Sequence, residues 1–496
     1  MERQTLRLGG AGGDDGAGDE ARVLRLSPFD LANAGRAVPM VFFYEEDLDT
    51  AALVKALECT IRLGYAPLCG RYQASARGEG VGPFPSGISL HDAGVPVELV
   101  RVDESFPHGH IRNLAEGSSP HFFQRTLHQP FVPSGEELGM DPDAGSPDAP
   151  ILAVRITRFR PAGDGPGGTA IGVLCQHAVV DADALIAFVR NWAGVFRAQA
   201  AGSDPGPDGL EVPPEHGRAP PAWALDAADD DGAAVRDELA PPNLATRPVD
   251  PGPIVPEFAP VMPKIAGSVV CVVPLVQAKL DALKAVAQAE AEAASGGADA
   301  KGSFFFSTDD VLTAVVWRAL CRLRCQQLEL DPAGSEITRV TRAVNFRRRA
   351  DPPLAPGYCA NGVTNVTSMM PVKELLGGAV SVVAAALRRD VQALTPDAII
   401  ARARWLARHQ RRGKRTVMTF DPLALTFIVS SWGFPWEAAR FTTDAPPAAF
   451  DHGAHTPVVC VFAPRPRSDG LNIYASGTQD AVEWFAKAIT SPVESL

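Results

Sequence analysis

The stretch TAIGVLCQHAVVDADALIAFVRNWAGVF, residues 169–196, changes its hydrophobic period once. Its first part, Thr169 to Gln176, is short, apolar and partly β-branched, which predicts a buried strand. In the second part the apolar residues recur at helical spacing, and Asp181 or Asp183 is suitably placed to cap the start of a helix. The stretch therefore predicts a strand followed by a helix, with His177 in the connection between them.

His177 is the candidate catalytic residue of this stretch. A histidine at a strand end can be packed from behind while its imidazole faces a cleft, and its ordinary pKa of about 6.5 suits it to accept a proton at neutral pH. Asp181, four residues later, could turn back and fix the loop. An isolated His-x-x-x-Asp pattern is also compatible with a structural histidine followed by a helix-capping aspartate. The pattern alone leaves both interpretations open.

Composition limits the classes of protein that fit this chain. With 496 residues and 46% hydrophobic content it can bury large cores, and its length predicts two or more domains. Its net charge of -12 argues against a general binder of nucleic acid or acidic membranes. The first residues are rich in Gly and Asp, unlike the basic and then apolar pattern of a secretory signal, and no apolar run approaches the roughly 18 residues of a membrane span. We expect a cytoplasmic monomer with neither nucleic-acid nor membrane partners.

Histidine pairs raise the question of a metal site. The closest pairs are His108 with His110 and His452 with His455. Neither pair forms a recognised zinc-site spacing with cysteine or carboxylate ligands. The eight cysteines are scattered without a C-x-x-C pair, which predicts reduced core thiols. From the sequence we expect no metal site and no bound cofactor.

The chain divides into four segments by composition. Residues 1–21 are predicted to be a disordered N-terminal tail, because they are rich in Gly and Asp. Residues 22–200 form the first predicted domain and residues 266–496 the second. Between them, residues 201–265 are dense in Pro, Gly, Ala and acidic residues, which predicts a crossover linker. Strands interleave with helices in both halves, so the predicted class is α/β.

Two local patterns are clear enough to predict elements. Ile151 to Phe159 and Thr169 to Gln176 are strand-like and are joined by a turn rich in Pro and Gly, which predicts a hairpin leading to His177. Ser307 followed three residues later by Asp310 is an acidic variant of the capping box and predicts a helix start.

Several segments, in order along the chain, resemble one family. His177-Ala-Val-Val-Asp181 is similar to its H-x-x-x-D-G motif, with Ala182 in place of the glycine. The segment from Val344 to Asn361 is similar to its R-x-R, PPLP and Y-F-G-N run. On these segments the chain resembles the BAHD superfamily of acyl-CoA-dependent acyltransferases, typical of plant specialised metabolism.

The resemblance implies a fold and a reaction. The fold would be a two-domain chloramphenicol-acetyltransferase-like α/β architecture, with mixed sheets, flanking helices and an active-site channel between the domains. His177 would be the general base in a ternary complex, and Asp181 would face away from the substrate and hold the loop through an arginine. Ser430 and Trp432 match positions that face the acceptor and the acyl carbonyl, although packing at a strand end is an equal interpretation for Trp432.

Acyl-CoA would be a co-substrate, and its phosphates require local positive charge on an acidic protein. The candidate contacts are Arg347, Arg349 and Asn361 in the segment with the family motifs, and Arg412 and Lys414 in a cationic run near a predicted helix end. A solvated face, or cations at a helix C-terminus, is the alternative explanation for these charges.

One family signature is degraded. Where the family shows D-F-G-W-G, the comparable region runs from Trp436 to Asp444, with Arg440 at the aspartate position. Glu437 and Asp444 are candidates to replace that aspartate. This predicts a divergent branch.

Three functions remain in view. The favoured one is acyl transfer from acyl-CoA to a hydroxyl or amine of a small specialised metabolite. A condensation-like enzyme using carrier-protein thioesters prefers a doubled histidine, whereas Gln176 precedes His177 here. A catalytically inactive binding homologue is the third, motivated by Ala182 and the degraded signature.

Overall fold

The computed structural model of the chain describes residues 1–8, 23–74, 85–140, 148–161, 167–218, 244–248, 267–295, 305–411, 414–418, 425–443, 445–453, 455–456, 459–465 and 469–491. Within these ranges the protein is built on two large mixed sheets, and two smaller sheets complete the strand pairing. The α/β class predicted from the sequence is confirmed.

The first large sheet has six strands and contains the strand that ends at His177. Its order is β1 (Glu2–Leu6), β6 (Val95–Ser105), β8 (Leu152–Arg160), β9 (Thr169–Gln176), β3 (Ala37–Tyr44) and β16 (Ala449–Asp451). Strands β6 and β8 are parallel, and the other neighbours are antiparallel. The predicted hairpin is confirmed, because β8 and β9 pair antiparallel from Leu152 opposite Cys175 to Arg158 opposite Thr169.

The second large sheet has seven strands. Its order is β13 (Val363–Pro371), β12 (Ile337–Asn345), β15 (Thr426–Ser431), β17 (Val459–Pro464), β18 (Leu471–Gly477), β11 (Val269–Leu275) and β7 (His121–Gln124). The pairs β12–β15 and β15–β17 are parallel. The small sheets are β2 (Val23–Arg25), β5 (Pro85–Ser89) and β4 (Arg71–Ala74), and the pair β10 (Leu244–Pro248) with β14 (Lys414–Met418).

Helices flank both large sheets. They are α1 (Pro28–Leu31), α2 (Thr50–Thr60), α3 (His108–Glu116), α4 (Ala182–Ala200), α5 (Gln277–Ala294), α6 (Thr308–Gln327), α7 (Val372–Gly377), α8 (Val380–Gln392), α9 (Pro396–Arg411) and α10 (Gln479–Thr490). The capping box predicted for α6 is confirmed. Ser307 Oγ accepts from the Asp310 amide at 3.1 Å, and Asp310 Oδ2 accepts from the Ser307 amide at 3.0 Å. Among the described residues, no helix has the length and apolarity needed to cross a membrane.

Apolar side chains collect in layers set by these elements. One core lies between the first sheet and helices α2 and α4, and a second lies between the second sheet and helices that include α6, α8 and α10. A third core joins the sheets, because it contains Val41 and Phe43 of β3 together with Val270 and Val272 of β11. The first sheet therefore buries both faces, which explains why β9 is buried along its whole length.

Sheet membership departs from the predicted domain limits. Strand β7 comes from the first predicted domain but pairs with β11 in the second sheet, and β16 comes from the second predicted domain but pairs with β3 in the first sheet. The predicted linker also contributes β10, which pairs with β14. Short strands whose partners lie far along the chain carry no local signal of the sheet that they join, so the boundaries 22–200, 201–265 and 266–496 remain a proposal.

The start of the chain needs a correction. The sequence predicts a disordered tail over residues 1–21, but Glu2–Leu6 forms β1 and pairs with β6. Arg3 contributes to this pairing, since its Nε donates to Glu98 Oε1 at 3.0 Å and Glu98 is fully buried. A strand with charged residues at a sheet edge lacks the apolar alternation from which a strand is predicted. The Gly- and Asp-rich residues 9–22 lie outside the described residues.

Candidate functional site

His177 lies in the connection between β9 and α4, where its backbone is fixed on both sides. Its amide donates to the Arg36 carbonyl oxygen at 2.8 Å, and its own carbonyl oxygen accepts from Asn361 Nδ2 at 2.7 Å. Ring nitrogen Nδ1 lies 3.2 Å from the Val180 carbonyl oxygen. Because a carbonyl oxygen can only accept, Nδ1 carries the hydrogen and Nε2 keeps its lone pair. Nε2 is therefore the nitrogen that can accept a proton.

The surroundings keep this imidazole neutral. Burial lowers the pKa of His177 below its ordinary value, and the positive charge of Arg36 lowers it further. The residue as a whole nevertheless retains partial exposure, between buried neighbours on either side. A neutral histidine that solvent still reaches is competent to act as a base at pH 7.

Asp181 supports the loop from the side of the helix. It is the N-cap of α4, and its Oδ1 accepts from the Ala184 amide at 3.0 Å. Its two oxygens accept from Arg347 Nη1 and Nη2 at 2.7 and 2.9 Å, and Oδ2 also accepts from the Gly362 amide at 2.8 Å. The contact with an arginine that the resemblance implies is thus present. Asp181 joins the His177 loop to the connection between β12 and β13 of the second sheet.

The guanidinium of Arg347 is engaged in holding Asp181 and nearby backbone carbonyls. It is 7% exposed, and besides Asp181 its Nη2 donates to the carbonyl oxygens of Tyr358 and Ala360 at 3.1 and 3.0 Å. Both terminal nitrogens of this guanidinium donate to buried acceptors, which leaves them unavailable to a phosphate. The geometry therefore favours a structural role for Arg347 over the predicted contact with coenzyme A.

Asn361 and Arg349 are also engaged within the protein. Asn361 is fully buried, and its Nδ2 donates to Asp30 Oδ1 at 2.9 Å as well as to the His177 carbonyl. Arg349 Nη1 donates to the Val391 carbonyl oxygen at 3.3 Å, near the C-terminal end of α8. For Asn361 the geometry again favours support of His177 over a contact with coenzyme A.

The remaining predicted cations lie in another part of the chain. Arg412 lies outside the described residues. Lys414 begins β14 and is the register partner of Pro248 in β10. This cationic run thus continues from the end of α9 into a strand.

Ser430 and Trp432 are joined to each other. Trp432 Nε1 donates to Ser430 Oγ at 3.0 Å, and the Trp432 amide donates to the Phe462 carbonyl oxygen at 2.7 Å. The indole packs against both the first and the third core, so it lies where the two sheets meet. Within the described part of the chain, no hydrogen bond connects either residue to His177.

Aromatic packing holds the region of the degraded signature. Trp436 stacks on Phe450 with centroids 5.3 Å apart, and Phe441 meets the Trp192 ring edge-on at 5.0 Å. Arg440 is exposed, and its carbonyl oxygen accepts from Arg197 of α4. Over the described residues Glu437 forms no ion pair. Asp444 lies outside the described residues.

The sequence patterns do not single out Arg36, Asp30 or Gly362, which complete the surroundings of His177. Gly362 acts through its backbone amide, and Arg36 acts through its backbone carbonyl and its charge. Asp30 acts through Asn361 from 331 residues away. No local spacing could reveal these contacts.

Comparison with known proteins gives consistent matches. The family model described as Transferase family matches residues 132–490. Stemmadenine O-acetyltransferase of Catharanthus roseus is 28% identical over 35% of this chain and 37% of its own length. Tryptamine benzoyltransferase 2 of Oryza sativa subsp. japonica is 25% identical over 86% of this chain and 82% of its own. The crystal structure of F. graminearum TRI101 complexed with coenzyme A and deoxynivalenol has the same fold, with a TM-score of 0.65 and 15% identity over 93% of this chain and 96% of that chain.

Proposed function

The chain belongs to the Transferase family, the BAHD acyltransferases, and from this we propose that it moves an acyl group from acyl-CoA to a hydroxyl or amine of a small specialised metabolite. The reaction proceeds in a ternary complex with His177 as general base. No bound cofactor is needed, because coenzyme A enters and leaves as a co-substrate. The enzyme works as a cytoplasmic monomer.

The observation that carries this proposal is the fixed tautomer of His177. Nδ1 is committed to the Val180 carbonyl, which leaves the Nε2 lone pair for the acceptor's proton. As the acceptor oxygen or nitrogen attacks the thioester carbon, its proton passes to Nε2. The tetrahedral intermediate then breaks its C–S bond, and the imidazolium returns the proton to the coenzyme A thiolate. No covalent acyl-enzyme is required.

Ser430 is our candidate to stabilise the oxyanion of that intermediate. Its oxygen already accepts from the Trp432 indole, so its own hydroxyl hydrogen remains as the group to donate. A donor whose oxygen is fixed by a second hydrogen bond needs little reorganisation during the reaction. Trp432 would orient Ser430 and form the adjoining apolar wall of the substrate site.

Coenzyme A phosphates require cations, and we assign Arg412 and Lys414 to them. This assignment rests on charge and on their place in the chain, because Arg347 and Asn361 are engaged around Asp181 and His177. A structural neighbour complexed with coenzyme A supports the co-substrate.

Both kinds of acceptor have precedents among the relatives. One is named an O-acetyltransferase, and another is named for benzoyl transfer with tryptamine, an amine. The acceptor of this chain is therefore proposed as a hydroxyl or an amine without a narrower choice.

The test is turnover with defined substrates. Purified protein is incubated with a panel of acyl-CoAs and with phenolic, alcohol and amine acceptors, while thiol release and acylated product are followed. We expect acceptor-dependent thiol release, and His177→Ala should reduce it by about 10²- to 10⁴-fold for alcohols while acyl-CoA affinity is kept. His91→Gln, which alters an exposed histidine bonded to Ser89, is the matched control and should retain full activity.

Two results would contradict the proposal in different ways. Transfer only from a carrier-bound phosphopantetheine thioester would assign the chain to the condensation-like enzymes. Absence of turnover with every pair, while acyl-CoA or acceptor still binds, would make it a binding homologue.

A further inference from the structure

A buried group of metal-ligating side chains lies between the two large sheets, apart from His177. It consists of His128, which follows β7, Asp451 of β16, and His455. The ligand atoms of these residues all lie within 4.8 Å of one another, and the residues are 3%, 0% and 6% exposed. Asp451 lies at the centre, because Oδ2 contacts His128 Nδ1 and Oδ1 lies 2.9 Å from His455 Nε2.

Other histidines surround this group as outer partners. His128 Nε2 lies 2.8 Å from His110 Nε2, and His110 Nδ1 lies 2.7 Å from His121 Nε2. A metal-ligating histidine ordinarily donates its second ring N–H to such a partner, which fixes the ring and its tautomer. With a metal on Nδ1, His128 would keep its hydrogen on Nε2 and donate it to His110. The ring is therefore already oriented as a ligand requires.

A cavity of about 350 Å³ gives access to the group. His128 and His455 line it together with residues of both sheets, among them Pro39, Leu174 and Gly453. Aromatic rings pack against both imidazoles, since Phe123 lies 5.0 Å from the His128 ring and Tyr474 stacks on His455 at 6.0 Å. An ion held by the three ligands would thus be accessible from the cavity.

We propose that His128, Asp451 and His455 form a binding site for one divalent transition-metal ion, with Zn²⁺ the best match. Two imidazoles and one carboxylate suit zinc and its first-row neighbours, whereas Mg²⁺ and Ca²⁺ prefer oxygen ligands. Zinc–nitrogen distances of about 2.0–2.1 Å place tetrahedral ligand atoms about 3.3 Å apart. The ligand atoms of the observed group lie within 4.8 Å of one another, which is compatible with that spacing. This inference goes beyond the acyltransferase proposal and replaces the expectation of no metal site.

The ligands come from distant parts of the chain, which gives the metal a structural consequence. His128 and Asp451 are 323 residues apart, and β16 is an edge strand of the first sheet. The ion would fasten this strand to the turn after β7. The His452 ring, 4.4 Å from His455 and 5.3 Å from Trp432, connects the site to the proposed substrate wall.

The experiment measures metal binding to the full chain. Protein is stripped with a chelator and titrated with Zn²⁺ by calorimetry, and with Co²⁺ by visible absorption. We expect one equivalent for the wild type and an increase of the melting temperature with Zn²⁺. Asp451→Asn and His455→Gln should weaken Zn²⁺ binding at least about 100-fold, and His110→Gln, which removes an outer partner, by about 10- to 100-fold. His91→Gln and His177→Ala should bind like the wild type.

Two results would overturn the site: the wild type takes up no Zn²⁺ saturably, or Asp451→Asn and His455→Gln both bind Zn²⁺ as the wild type does. In either case the group is a hydrogen-bonded histidine network and not a metal site. If Asp451→Asn does not fold, the wild type alone tests the metal site, through its Zn²⁺ stoichiometry and its Co²⁺ absorption. A wild type that shows no ligand-field bands at one equivalent of Co²⁺ also overturns the site. Zn²⁺ binding is measured in the absence of substrate. A negative result for the metal site can therefore be distinguished from a negative result for acyl transfer.

Discussion

His177 serves as a base only while its imidazole is neutral, and two features of its surroundings favour that form. Burial disfavours the imidazolium first, and the charge of Arg36 disfavours it further. The pKa of His177 therefore lies below its ordinary value of 6.5. Since the deprotonated form is the active one, activity is lost as pH falls through this lowered pKa.

The acid limb of the pH–rate profile should consequently have its midpoint below pH 6.5 for an alcohol acceptor. Replacing Arg36 with Gln removes a cation that disfavours the imidazolium, so the midpoint should move toward the ordinary value. The Arg36 carbonyl that holds the His177 amide is retained in this variant. The measurement is kcat/KM against pH for the two proteins. A wild-type midpoint above pH 6.5, or a downward shift in Arg36→Gln, would disprove this account of the base.

Asp181 shows how a residue behind the base can control it. The ion pair with Arg347 is buried on both sides, so removing one charge leaves the other uncompensated. Asp181→Asn should lower the free energy of unfolding by about 3–5 kcal/mol and reduce activity through a displaced loop. Combining it with Arg347→Met should cost less than the sum of the single changes. Urea unfolding and initial rates test this, and full activity with unchanged stability in Asp181→Asn would show that the loop does not depend on the pair.

Local sequence patterns correctly predicted the secondary-structure elements that depend on neighbouring residues. The β8–β9 hairpin, the β9–α4 connection and the cap of α6 depend on neighbouring residues, and all three are found. The sequence also placed Arg347 and Asn361 near the site, but it could not show that their donors are already used inside the protein. Asp181 and His177, which engage Arg347 and Asn361 and so favour support of the His177 loop over binding of coenzyme A, lie more than 150 positions away in the sequence.

Strand β9 contains a glycine because another segment crosses it closely. A Cβ at Gly172 would lie 1.9 Å from the Phe131 carbonyl oxygen, in the turn that follows His128. Gly172→Ala should therefore destabilise the fold by about 1–3 kcal/mol or more through overpacking. Gly194→Ala in α4 is the matched control, since its Cβ would meet only Arg197 Nη2 at 3.9 Å. This variant should raise the free energy of unfolding by up to about 1 kcal/mol. Chemical unfolding compares the two, and equal stability of both variants would mean that the turn moves aside freely.

Over the whole molecule, the two sheets are interlocked by exchange of strands. Strand β7 completes the second sheet from the N-terminal half, and β16 completes the first sheet from the C-terminal half. The third core draws residues from both sheets, and the proposed metal ligands join the same two exchanged regions. Composition predicts a linker between two domains because it reflects solubility and chain flexibility. Strand exchange depends instead on pairing between residues hundreds of positions apart, which composition does not record.

Interlocking predicts that neither half folds alone. A C-terminal piece, residues 267–496, lacks β7 beside β11 and β10 beside β14, and an N-terminal piece, residues 1–248, lacks β16 beside β3. Each would expose an unpaired strand and half of the third core to water, which removes much of the apolar burial that stabilises a domain. Separately, the pieces should therefore show no cooperative urea transition by circular dichroism, whereas a mixture refolded together should recover one. Cooperative unfolding of the C-terminal piece alone would instead establish it as an autonomous domain and make the exchanged strands accessory to the fold.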